Sequence, residues 1–599
     1  MQIKPEDYTV ILDERGLALL KERIARDTVI SYDRETTSLK WVTGTSFMQT
    51  FYVADRGFVI DRRQVSPALW AMCASACVLR EDRDILGHNL KFDLLYSRNE
   101  EGLRRRGRVQ DTLLLSFLLD ENRSHRLKDL CEAKWGPEAS SLEKQIKEWM
   151  AANGCENQYD KVPPELMAHY AVQDTFLCRK YYDAERPKLP PSMVKLYENE
   201  CELTKVLVDM EYQGIRVDVP YLESLVPQFE LDQKLIEQQV WQVAGEEFNI
   251  NSSPQLADIL YRKLGLKAKV YTEKGAPSTD KEALQTLDHP IGQLLLQHSG
   301  LETALHTFVK PWISFADKNG YLHSSFNQTG TRAGRFSSSD PNAQQIPKRT
   351  KLAKVLRKAF IYPDGTVGGS NDQCQMEMIG FAHYSADPNM RKALNEGRDL
   401  HRQTATDLKL ATAYEEVTSD QRKLGKGGNF AIVYGCGKAK LSSFLSQDMY
   451  AGRMVTHEEA MQLLSMYKQA YPYVSAFTQR VINTVRTRPG HYVENMFGRR
   501  CHLTPDKAYI GVNRLIQSWA ADAMKIGMVR AWKKAEGTDL KLYANIHDDL
   551  RWFCKPENFM DHARTIDKCL TQFDGMTVPI KTDTTRSLTN WAEEEEVKL

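Results

Sequence analysis

The sequence lacks the features that mark membrane and secreted proteins. Its longest stretch without a charged residue, residues 64–79, is 16 residues long and contains Pro67, whereas a membrane-spanning helix needs about 20 apolar residues. Charged residues follow Met1 within seven positions, which is unlike a basic and then apolar leader. The 11 cysteines include no C-x-x-C pair. We therefore expect a cytoplasmic protein with reduced thiols, without a disulfide framework or a zinc site.

An excess of charge of either sign is missing as well. Lys and Arg number 80 against 79 Asp and Glu, a net charge of +1, so no overall field attracts nucleic acid or a membrane, although a local basic cleft is compatible with this balance. Hydrophobic residues make up 42% of the chain, which excludes a mostly disordered protein. At ~150 residues per domain, 599 residues predict about four domains or subdomains.

Composition divides the chain into three regions. Residues 9–180 alternate short β-rich runs with helical patterns, which predicts an α/β domain. Three of the seven residues in Arg186–Ser192 are prolines, which predicts that this segment has no regular structure. We therefore place the first domain boundary there. From Met193 to about Trp312 the apolar spacing is helical, apart from a basic segment at 262–281, and beyond it helices and short strands mix again.

Three short patterns in the first region place acidic residues where they could bind metal. Asp33 and Glu35 lie two apart on a predicted strand, so both side chains face the same way. Asp93 follows a short apolar run, and Tyr170 and Asp174 lie four apart on one helix face. Each feature alone is typical of an ordinary strand end or of helix packing. Together they predict a two-metal phosphodiesterase site, with Tyr170 orienting the attacking water.

The ordered set D-x-E, N-x-x-x-D and Y-x-x-x-D resembles the 3′→5′ proofreading exonucleases with an RNase H-like fold. The resemblance implies two Mg²⁺ ions, with Mn²⁺ as an alternative, bound by Asp33, Glu35, Asp93 and Asp174.

A second group of acids lies in the last region. Asp372 comes where a predicted strand ends, and residues 542–553 read as a β-hairpin whose turn holds His547, Asp548 and Asp549. Such a turn is usually only a surface feature. Paired with Asp372, it supplies carboxylates that could bridge two Mg²⁺ ions and so activate a primer 3′-hydroxyl for in-line displacement on a triphosphate.

Arg422, Lys426, Phe430 and Tyr434 recur every four residues and so form one slowly winding stripe on a helix. Two cations followed by two rings suit a nucleoside triphosphate, with the cations on the phosphates and the rings beside base and sugar. The alternative is an amphipathic helix with snorkelling basic ends. Aromatic rings on the charged stripe would be poor core patterning, which favours the triphosphate.

Together with the segment NQTGTRAGR at Asn327–Arg335, which runs on to Pro347, these motifs resemble the family-A DNA polymerases, the family of bacterial DNA polymerase I and several phage replicases. The resemblance extends from about residue 28 to the end. It implies template-directed DNA synthesis from dNTPs with 3′→5′ proofreading, in phage genome replication. It also implies an α/β multidomain fold, in which an RNase H-like exonuclease domain precedes a right-hand polymerase with helical thumb and fingers and an antiparallel-sheet palm. The implied domains are exonuclease 1–188, thumb 193–318, palm 319–410 and 535–599, and fingers 411–534.

The resemblance implies a role for each matching position. In the polymerase site, two Mg²⁺ ions are held by Asp372 and Asp548, with Asp549 as an auxiliary acid and Glu377 as a steric gate against a ribose 2′-hydroxyl. The incoming triphosphate is contacted by His401, Arg422 and Lys426, and its pocket is lined by Phe430 and Tyr434. DNA is contacted by Arg335 and His547 at the primer end, by Asn342 and Gln344 near primer–template, and by Asn513 and Gln517 in the minor groove.

The implied partners are primer–template DNA and dNTPs, with a phage helicase or primase and a single-strand binding protein as further candidates, and no membrane. We expect a monomer. The basic segment Arg262–Lys281 is equally well a thumb tip gripping phosphates or a solvated loop. We expect no 5′-nuclease domain before the exonuclease, and no thumb insertion that recruits a processivity factor.

Three features depart from the family pattern. Gln373 stands where the family usually has an aromatic residue, and Asp549 is one methylene shorter than the usual Glu. Three glycines at 425, 427 and 428 crowd the predicted fingers helix. Since each Gly costs ~1 kcal/mol of helix propensity relative to Ala, they predict a softer helix that opens easily.

Two other functions fit part of the pattern. A phage-type single-subunit RNA polymerase shares the catalytic aspartates and the Lys/Tyr helix, but Glu377 and the exonuclease acids argue against it. The other alternative is a non-catalytic DNA-binding protein, or an exonuclease whose polymerase half is inactive and only holds DNA. The intact Asp372, Asp548, Arg422 and Lys426 argue against that one.

Overall fold

The computed structural model of the chain describes residues 2–272, 274–348, 350–433, 436, 438–446 and 455–599. Within these residues no helix combines the length and the apolar character that crossing a membrane requires. All 11 cysteines are free thiols.

The first region is built on a six-stranded mixed sheet, as the alternation of strand and helix patterns predicts. Its order is β1-β4-β3-β2-β5-β6, with β3 antiparallel to β2 and β4 and the other pairs parallel. Helices cover both faces, and α7 packs on β2, β3 and β4. The elements are β1 Tyr8–Val10, α1 Glu14–Arg26, β2 Val29–Thr36, β3 Ser46–Val53, β4 Arg56–Asp61, α2 Pro67–Val78, β5 Asp84–Gly87, α3 Leu90–Glu101, β6 Val109–Asp111, α4 Thr112–Leu119, α5 Leu127–Trp135, α6 Ser141–Ala152 and α7 Pro164–Glu185.

The proline-rich boundary is more regular than its composition suggests. A short 3₁₀ turn, Arg186–Lys188, follows α7, and the next helix already begins at Pro191. A proline in the first turn of a helix removes an N–H that has no intrahelical acceptor, so it costs no hydrogen bond there. The prediction of an irregular linker is therefore wrong. Only Leu189 and Pro190 lie outside helical structure between the 3₁₀ turn and α8.

The second region is helical. Its elements are α8 Pro191–Gln213, β7 Ile215–Arg216, α9 Val219–Ala244, α10 Ser253–Ala257, α11 Lys281–Gln285, α12 Pro290–Thr303 and α13 Lys310–Phe315. Between α10 and α11 the basic segment holds no α-helix, and two of its cations are already paired, Arg262 with Asp258 and Lys263 with Glu246.

The third region contains a five-stranded antiparallel sheet, ordered β14-β15-β11-β16-β17, with a helical block inserted after β11. Helices α22 and α23 pack on each other beside it, and α8 from the second region joins the same core. The elements are β8 Tyr321–Leu322, β9 Ser325–Asn327, β10 Ser337–Ser339, α14 Lys351–Arg357, β11 Val367–Gln373, α15 Met376–Ser385, α16 Pro388–Asn395, α17 Leu400–Asp407, α18 Ser419–Val433, α19 Lys438–Leu445, α20 His457–Ala470, α21 Pro472–Thr487, β12 Tyr492–Glu494, β13 Arg500–His502, α22 Gly511–Ala535, β14 Lys541–Ile546, β15 Asp549–Cys554, α23 Phe559–Thr571, β16 Thr582–Ser587 and β17 Glu595–Val597.

A buried ion network joins α8 to α22. The guanidinium of Arg499 lies 2.7 Å from the Asp522 carboxylate and also contacts Glu200, which accepts a second bond from Lys525 at 2.8 Å. All four side chains are at most 3% exposed. Removing one charge from such a cluster leaves another buried without a partner, so the network strongly favours this one arrangement of the two helices.

Polar contacts also fix the first region against the third. Glu121, just after α4, accepts hydrogen bonds from the backbone N–H of His502 at 2.6 Å and pairs with its imidazole Nδ1 at 2.9 Å. Lys91 on α3 donates to the backbone oxygen of Phe326 at 2.7 Å and pairs with Glu211 on α8. The helix that carries Asp93 is thereby tied to the segment leading into Asn327–Arg335.

The glycines of α18 differ in their surroundings. A Cβ at Gly425 would lie 2.3 Å from the backbone oxygen of His401 and 2.9 Å from the backbone nitrogen of Ala405, both on α17. At Gly428 a Cβ would meet only side chains, at 3.7 Å and beyond. The absent side chain at Gly425 therefore lets α17 and α18 approach closely, which gives that glycine a packing role; the softer helix stays a prediction.

We expect Gly425→Ala to destabilise the α17–α18 pair by about 1–3 kcal/mol, since backbone atoms must move to admit the methyl group. Gly428→Ala is the matched control, and it should stabilise the helix by up to ~1 kcal/mol through propensity alone. Hydrogen exchange across residues 419–433 would report the local stability of both variants. Equal protection in the two would contradict the close-approach explanation.

Candidate active sites

The first candidate site forms where β2, α3 and α7 meet. Asp33 and Glu35 project from the same side of β2, as predicted. Asp93, in the first turn of α3, is drawn to this strand because its carboxylate accepts the backbone N–H of Arg34 at 2.9 Å. The N-terminus of α3 is itself fixed by Asp111, which accepts the N–H groups of residues 89 and 90 at 3.1 and 2.8 Å. Three acids from two elements therefore share one face.

Helix α7 supplies Tyr170 and Asp174 to the same place. The ring of Tyr170 stacks on that of Tyr159, with centroids 6.4 Å apart. The Asp174 carboxylate contacts the ammonium group of Lys128, which belongs to α5. The structure thus brings all five predicted residues together, and it adds Lys128, a lone cation in a polar stretch that no periodic pattern distinguishes.

Burial and mutual repulsion dominate the electrostatics of this site. Burial raises the pKa of Asp33 to about 7, against the attraction of Lys128. Burial, and then the charge of Asp33, raise the pKa of Glu35 to about 8. The pKa of Asp93 lies well above its ordinary value for the same two reasons. Desolvated carboxylates that repel one another need cations to ionise at neutral pH.

The donor set fits a hard divalent cation. Asp33, Glu35, Asp93 and Asp174 offer carboxylate oxygens only, without a histidine or cysteine among them, and Mg²⁺ and Mn²⁺ favour such oxygen ligands.

The second candidate site lies at one end of the five-stranded sheet. Asp372 on β11 stands directly opposite Asp549 on β15, so both side chains point to one side of the sheet. The hairpin between β14 and β15 places Asp548 at its turn, after His547 in a left-handed conformation (φ 59°). The backbone oxygen of Asp548 accepts the N–H of Gln373 at 2.9 Å, which anchors the turn to β11.

The three aspartates have different environments. Burial, and then the charge of Glu377, raise the pKa of Asp548 to about 7. Burial, and then the charge of Asp549, raise the pKa of Asp372. Asp549 pairs with the buried guanidinium of Arg551 at 3.0 Å. Its Oδ1 is buried and has no hydrogen-bond partner among the described residues. That oxygen and the other two carboxylates suit Mg²⁺.

A cavity of about 680 Å³ opens between these carboxylates and α18. Most of the residues predicted to contact the nucleotide line this cavity, and so do two of the predicted metal ligands. The predicted residues in its lining are Asp372, Glu377, His401, Arg422, Lys426, Phe430 and Asp548. Tyr434 lies outside the described residues. Arg422 and Lys426 on α18, together with the carboxylates at the end of the sheet, give the cavity the charge pattern of a site for a metal-bound phosphate chain.

Two residues that sequence reasoning missed contact the side chains of Arg422 and His401 in this cavity. Asp399 caps α17 and pairs with Arg422 at 2.6 Å. Asn429 lies 3.0 Å from Nδ1 of His401. Burial lowers the pKa of His401 to about 4, so its imidazole is neutral at pH 7. The position of Asp399, just before a helical pattern, is a capping signal that the sequence does display.

Glu377 and Arg335 form an ion pair, with Oε1 and Nη2 2.6 Å apart. The pair sits beside the aspartates, because Arg335 with Gln344, His547 and Asp548 lines a small neighbouring pocket. Burial, and then the charge of Arg335, lower the pKa of His547. The guanidinium, the imidazole and Gln344 therefore face one another at the end of the sheet.

Three other predicted residues have different surroundings. Asn342 accepts the N–H of Gln344 at 3.0 Å and so caps a short 3₁₀ turn. Asn513 and Gln517 lie one turn apart near the start of α22, and both are half-buried. They line neither the cavity beside α18 nor the small pocket beside Arg335.

The departure at Gln373 has a structural explanation. Its side chain donates to the backbone oxygen of Leu570 on α23 at 2.7 Å.

Comparison with known proteins gives two family matches. Residues 219–593 match the model "DNA polymerase family A", and residues 8–189 match "3'-5' exonuclease". "DNA polymerase I, thermostable" of Thermus thermophilus is 36% identical over 381 residues, covering 61% of this chain and 44% of the relative. DNA polymerase I of Pseudomonas aeruginosa is 29% identical over 581 residues, covering 91% of this chain and 61% of the relative. The chain spans about half the length of the curated relatives it matches.

A solved structure agrees in fold. The "POL domain of Pol1 from M. smegmatis complex with DNA primer-template and dNTP" superposes with a TM-score of 0.84 at 23% identity, covering 98% of this chain and 100% of that one. At this identity the likeness shows the fold alone. It confirms the predicted α/β multidomain architecture, with an exonuclease domain ahead of a polymerase domain.

Acid should destabilise the protein through His401. Its pKa is about 4 in the folded protein and ~6.5 in an unfolded chain, so only the unfolded state gains a proton as the pH falls from 6.5 towards 4. Folding should lose about 1–3 kcal/mol over that range, and His401→Gln should abolish this loss. Thermal unfolding at pH 7.5 and pH 5 measures it. The exposed His457→Gln is the control, and an equal pH response in all three proteins would refute the assignment.

Proposed function

Because this chain belongs to DNA polymerase family A and carries a 3′-5′ exonuclease domain, we propose that it extends a DNA primer along a template from dNTPs and removes nucleotides from the 3′ end. The observation that carries this proposal is the cavity in which Asp372 and Asp548 face Arg422 and Lys426. Carboxylates that suit metal ions and cations that suit phosphates line this one cavity, as nucleotidyl transfer requires.

In the polymerase site Asp372 and Asp548 would hold two Mg²⁺ ions, and Asp549 would assist through its unpartnered Oδ1. These ions would supply activation of the primer 3′-hydroxyl and charge neutralisation on the triphosphate. Arg422 and Lys426 bind the phosphates. Asp399 holds the Arg422 guanidinium in place at 2.6 Å until they arrive.

The neutral imidazole of His401 and the ring of Phe430 complete the nucleotide side. Their ring centroids lie 5.6 Å apart, so His401 can donate one hydrogen bond to a phosphate oxygen while Phe430 flanks the base or sugar. Tyr434, outside the described residues, is proposed to line the same nucleotide pocket.

Glu377 selects against ribonucleotides in this proposal. Its pair with Arg335 fixes the carboxylate beside Asp548 at the sugar end of the cavity. A ribose 2′-hydroxyl would need the volume that this carboxylate fills, and displacing it would break the ion pair.

The DNA would follow the surfaces around this cavity. Arg335 and His547 would hold the primer end, with Asn342 and Gln344 nearby and with Asn513 and Gln517 in the minor groove. The basic segment 262–281 would grip phosphates, although two of its cations are already paired with acids. The proposed domains are exonuclease 1–188, thumb 193–318, palm 319–410 and 535–599, and fingers 411–534.

In the exonuclease site two Mg²⁺ or Mn²⁺ ions would be bound by Asp33, Glu35, Asp93 and Asp174. They would supply an activated water and neutralise the scissile phosphate. Tyr170 would orient that water by its hydroxyl, and stacking on Tyr159 holds its ring.

We propose a biological setting in phage genome replication, in the host cytoplasm. The protein would act there as a monomer, with a helicase or primase and a single-strand binding protein as candidate partners. The combination of synthesis and 3′-end removal in one chain supports replication in general.

Two variants separate the two activities. We expect Asp548→Asn to abolish extension of a labelled primer with dNTPs and Mg²⁺ while leaving the shortening that occurs without nucleotides. Asp33→Ala should do the reverse, because the two carboxylate clusters lie in different domains. Loss of both activities in either variant, with folding intact by circular dichroism, would contradict two separable sites. Shortening without extension in every variant, including the wild type, would leave only the exonuclease.

Glu377→Ala tests the gate. Removing the carboxylate opens the space for a 2′-hydroxyl, so ribonucleotide incorporation relative to dNTPs should rise about tenfold or more. Single-nucleotide extension in the Asp33→Ala background measures the ratio without degradation. Glu377→Gln, nearly the same size, is the matched control and should keep most of the discrimination. Unchanged selectivity in Glu377→Ala would refute the role.

A further inference from the structure

A buried lysine lies inside the carboxylate cluster of the exonuclease domain. Lys128 is the second residue of α5, and its side chain is 8% exposed. Its ammonium group contacts the carboxylate of Asp174 and lies 4.8 Å from the ring centroid of Tyr170. One cation therefore touches both residues that α7 contributes to the site.

The charge of Lys128 also reaches the acids of β2. It attracts Asp33 and Glu35. The neighbouring guanidinium of Arg34 points away from the cluster, to Glu100 and Glu101 at 3.0 and 2.6 Å. Lys128 thus supplies an internal positive charge to a group of four acids that repel one another.

The same contact makes Lys128 a competitor of any divalent ion at Asp174. The ammonium group contacts Oδ1 of Asp174, so a metal ligated by either oxygen of this carboxylate would lie within a few ångströms of it. An ammonium and a divalent cation a few ångströms apart also repel each other strongly when little water separates them. The lysine and the metal therefore exclude each other at this carboxylate.

The structure offers a second position for the ammonium group. Glu143 on α6 also attracts Lys128 by its charge, as do Glu35 and Asp33. Its carboxylate is 14% exposed and pairs with Arg126 at 3.3 Å and Lys147 at 2.6 Å, both of which are exposed and can yield to another cation. The flexible four-carbon stem of a lysine allows such a move without a shift of the backbone.

The polymerase site has a weaker competitor. Lys348 lies 3.2 Å from Asp372, but its side chain is 59% exposed. An exposed ammonium group exchanges its carboxylate for water at little cost, whereas Lys128 must move between buried acids. A metal ion should therefore displace Lys348 more easily than Lys128.

We propose that Lys128 is a positioning residue of the exonuclease site. It holds Tyr170 and Asp174 by its charge, competes with metal at Asp174, and moves to Glu143 when the metal binds. Half-maximal exonuclease activity then requires more Mg²⁺ than half-maximal synthesis. The last statement rests on the proposed function, whereas the competition itself does not.

The direct test is Mn²⁺ binding, followed by the EPR signal of the free ion. In the full chain, Asp372→Asn and Asp548→Asn remove metal binding at the polymerase site. The same chain with Asp33→Asn and Glu35→Gln added measures the Mn²⁺ bound elsewhere, for example at Asp120, Glu121 and His502. In the chain with Asp372→Asn and Asp548→Asn alone, Lys128→Met, which keeps the length and removes the charge, should bind Mn²⁺ about tenfold more tightly or better. When a chelator keeps the site free of metal, this variant should also unfold at a lower temperature, because no cation then offsets the repulsion among the four acids. Lys134→Met is the matched control, since this lysine on the same helix pairs with Glu185 outside the site, and it should leave Mn²⁺ affinity unchanged.

Unchanged or weaker Mn²⁺ binding by folded Lys128→Met would overturn the proposal. Two further variants keep it testable if that protein fails to fold. Lys128→Arg retains the charge and should bind Mn²⁺ within about twofold of the wild type. Glu143→Gln removes the second position and should weaken Mn²⁺ binding several-fold, and tighter binding would overturn the move to Glu143.

Activity supplies an independent readout. A Mg²⁺ titration of Lys128→Met should shift half-maximal 3′-end removal to lower Mg²⁺ and leave the Mg²⁺ dependence of primer extension unchanged. An equal shift in both activities would overturn the assignment to one site. The Mn²⁺ measurement needs no turnover, so a chain without exonuclease activity would contradict the proposed function and still report on Lys128.

Discussion

Burying several carboxylates within reach of one another is the constraint on which both sites depend. Each acid loses its hydration and is repelled by its neighbours, so Asp33, Glu35 and Asp548 ionise only near or above pH 7 unless a cation joins them. The fold must therefore hold such acids together against their repulsion. We expect this repulsion to favour the binding of divalent ions at both sites.

The scaffold meets this constraint in two ways. In the sheet of the third region, backbone pairing places Asp372 opposite Asp549, and the buried Arg551 neutralises one of the acids from behind. In the first region the acids come from a strand and two helices, and the internal cation Lys128 contacts Asp174 directly. The acids of the sheet are held together by permanent backbone hydrogen bonds. The acids of the first region depend instead on the charge of Lys128, which can move. This difference is the physical basis for expecting the two sites to respond differently to metal.

The nucleotide side of the cavity is arranged before any ligand enters. Gly425 lets α17 approach α18 at backbone distance, and this approach sets His401 on one helix beside Phe430 on the other. Asp399 restrains Arg422 in the same interface. Restraining cations in advance reduces the side-chain entropy that phosphate binding must overcome.

The sequence by itself determined the elements and the spacing of residues within them. Asp33 and Glu35 share a strand face, Tyr170 and Asp174 share a helix face, and the Asp548 hairpin forms where the apolar pattern is interrupted, because these relations follow from local backbone geometry. Only the tertiary structure decided what approaches these groups from elsewhere in the chain. Lys128, Arg551 and Asp399, the contact at Gly425 and the turn of Gln373 towards α23 depend on packing between elements distant in sequence. No local spacing encodes such contacts, which is why the acids could be predicted and their counter-ions could not.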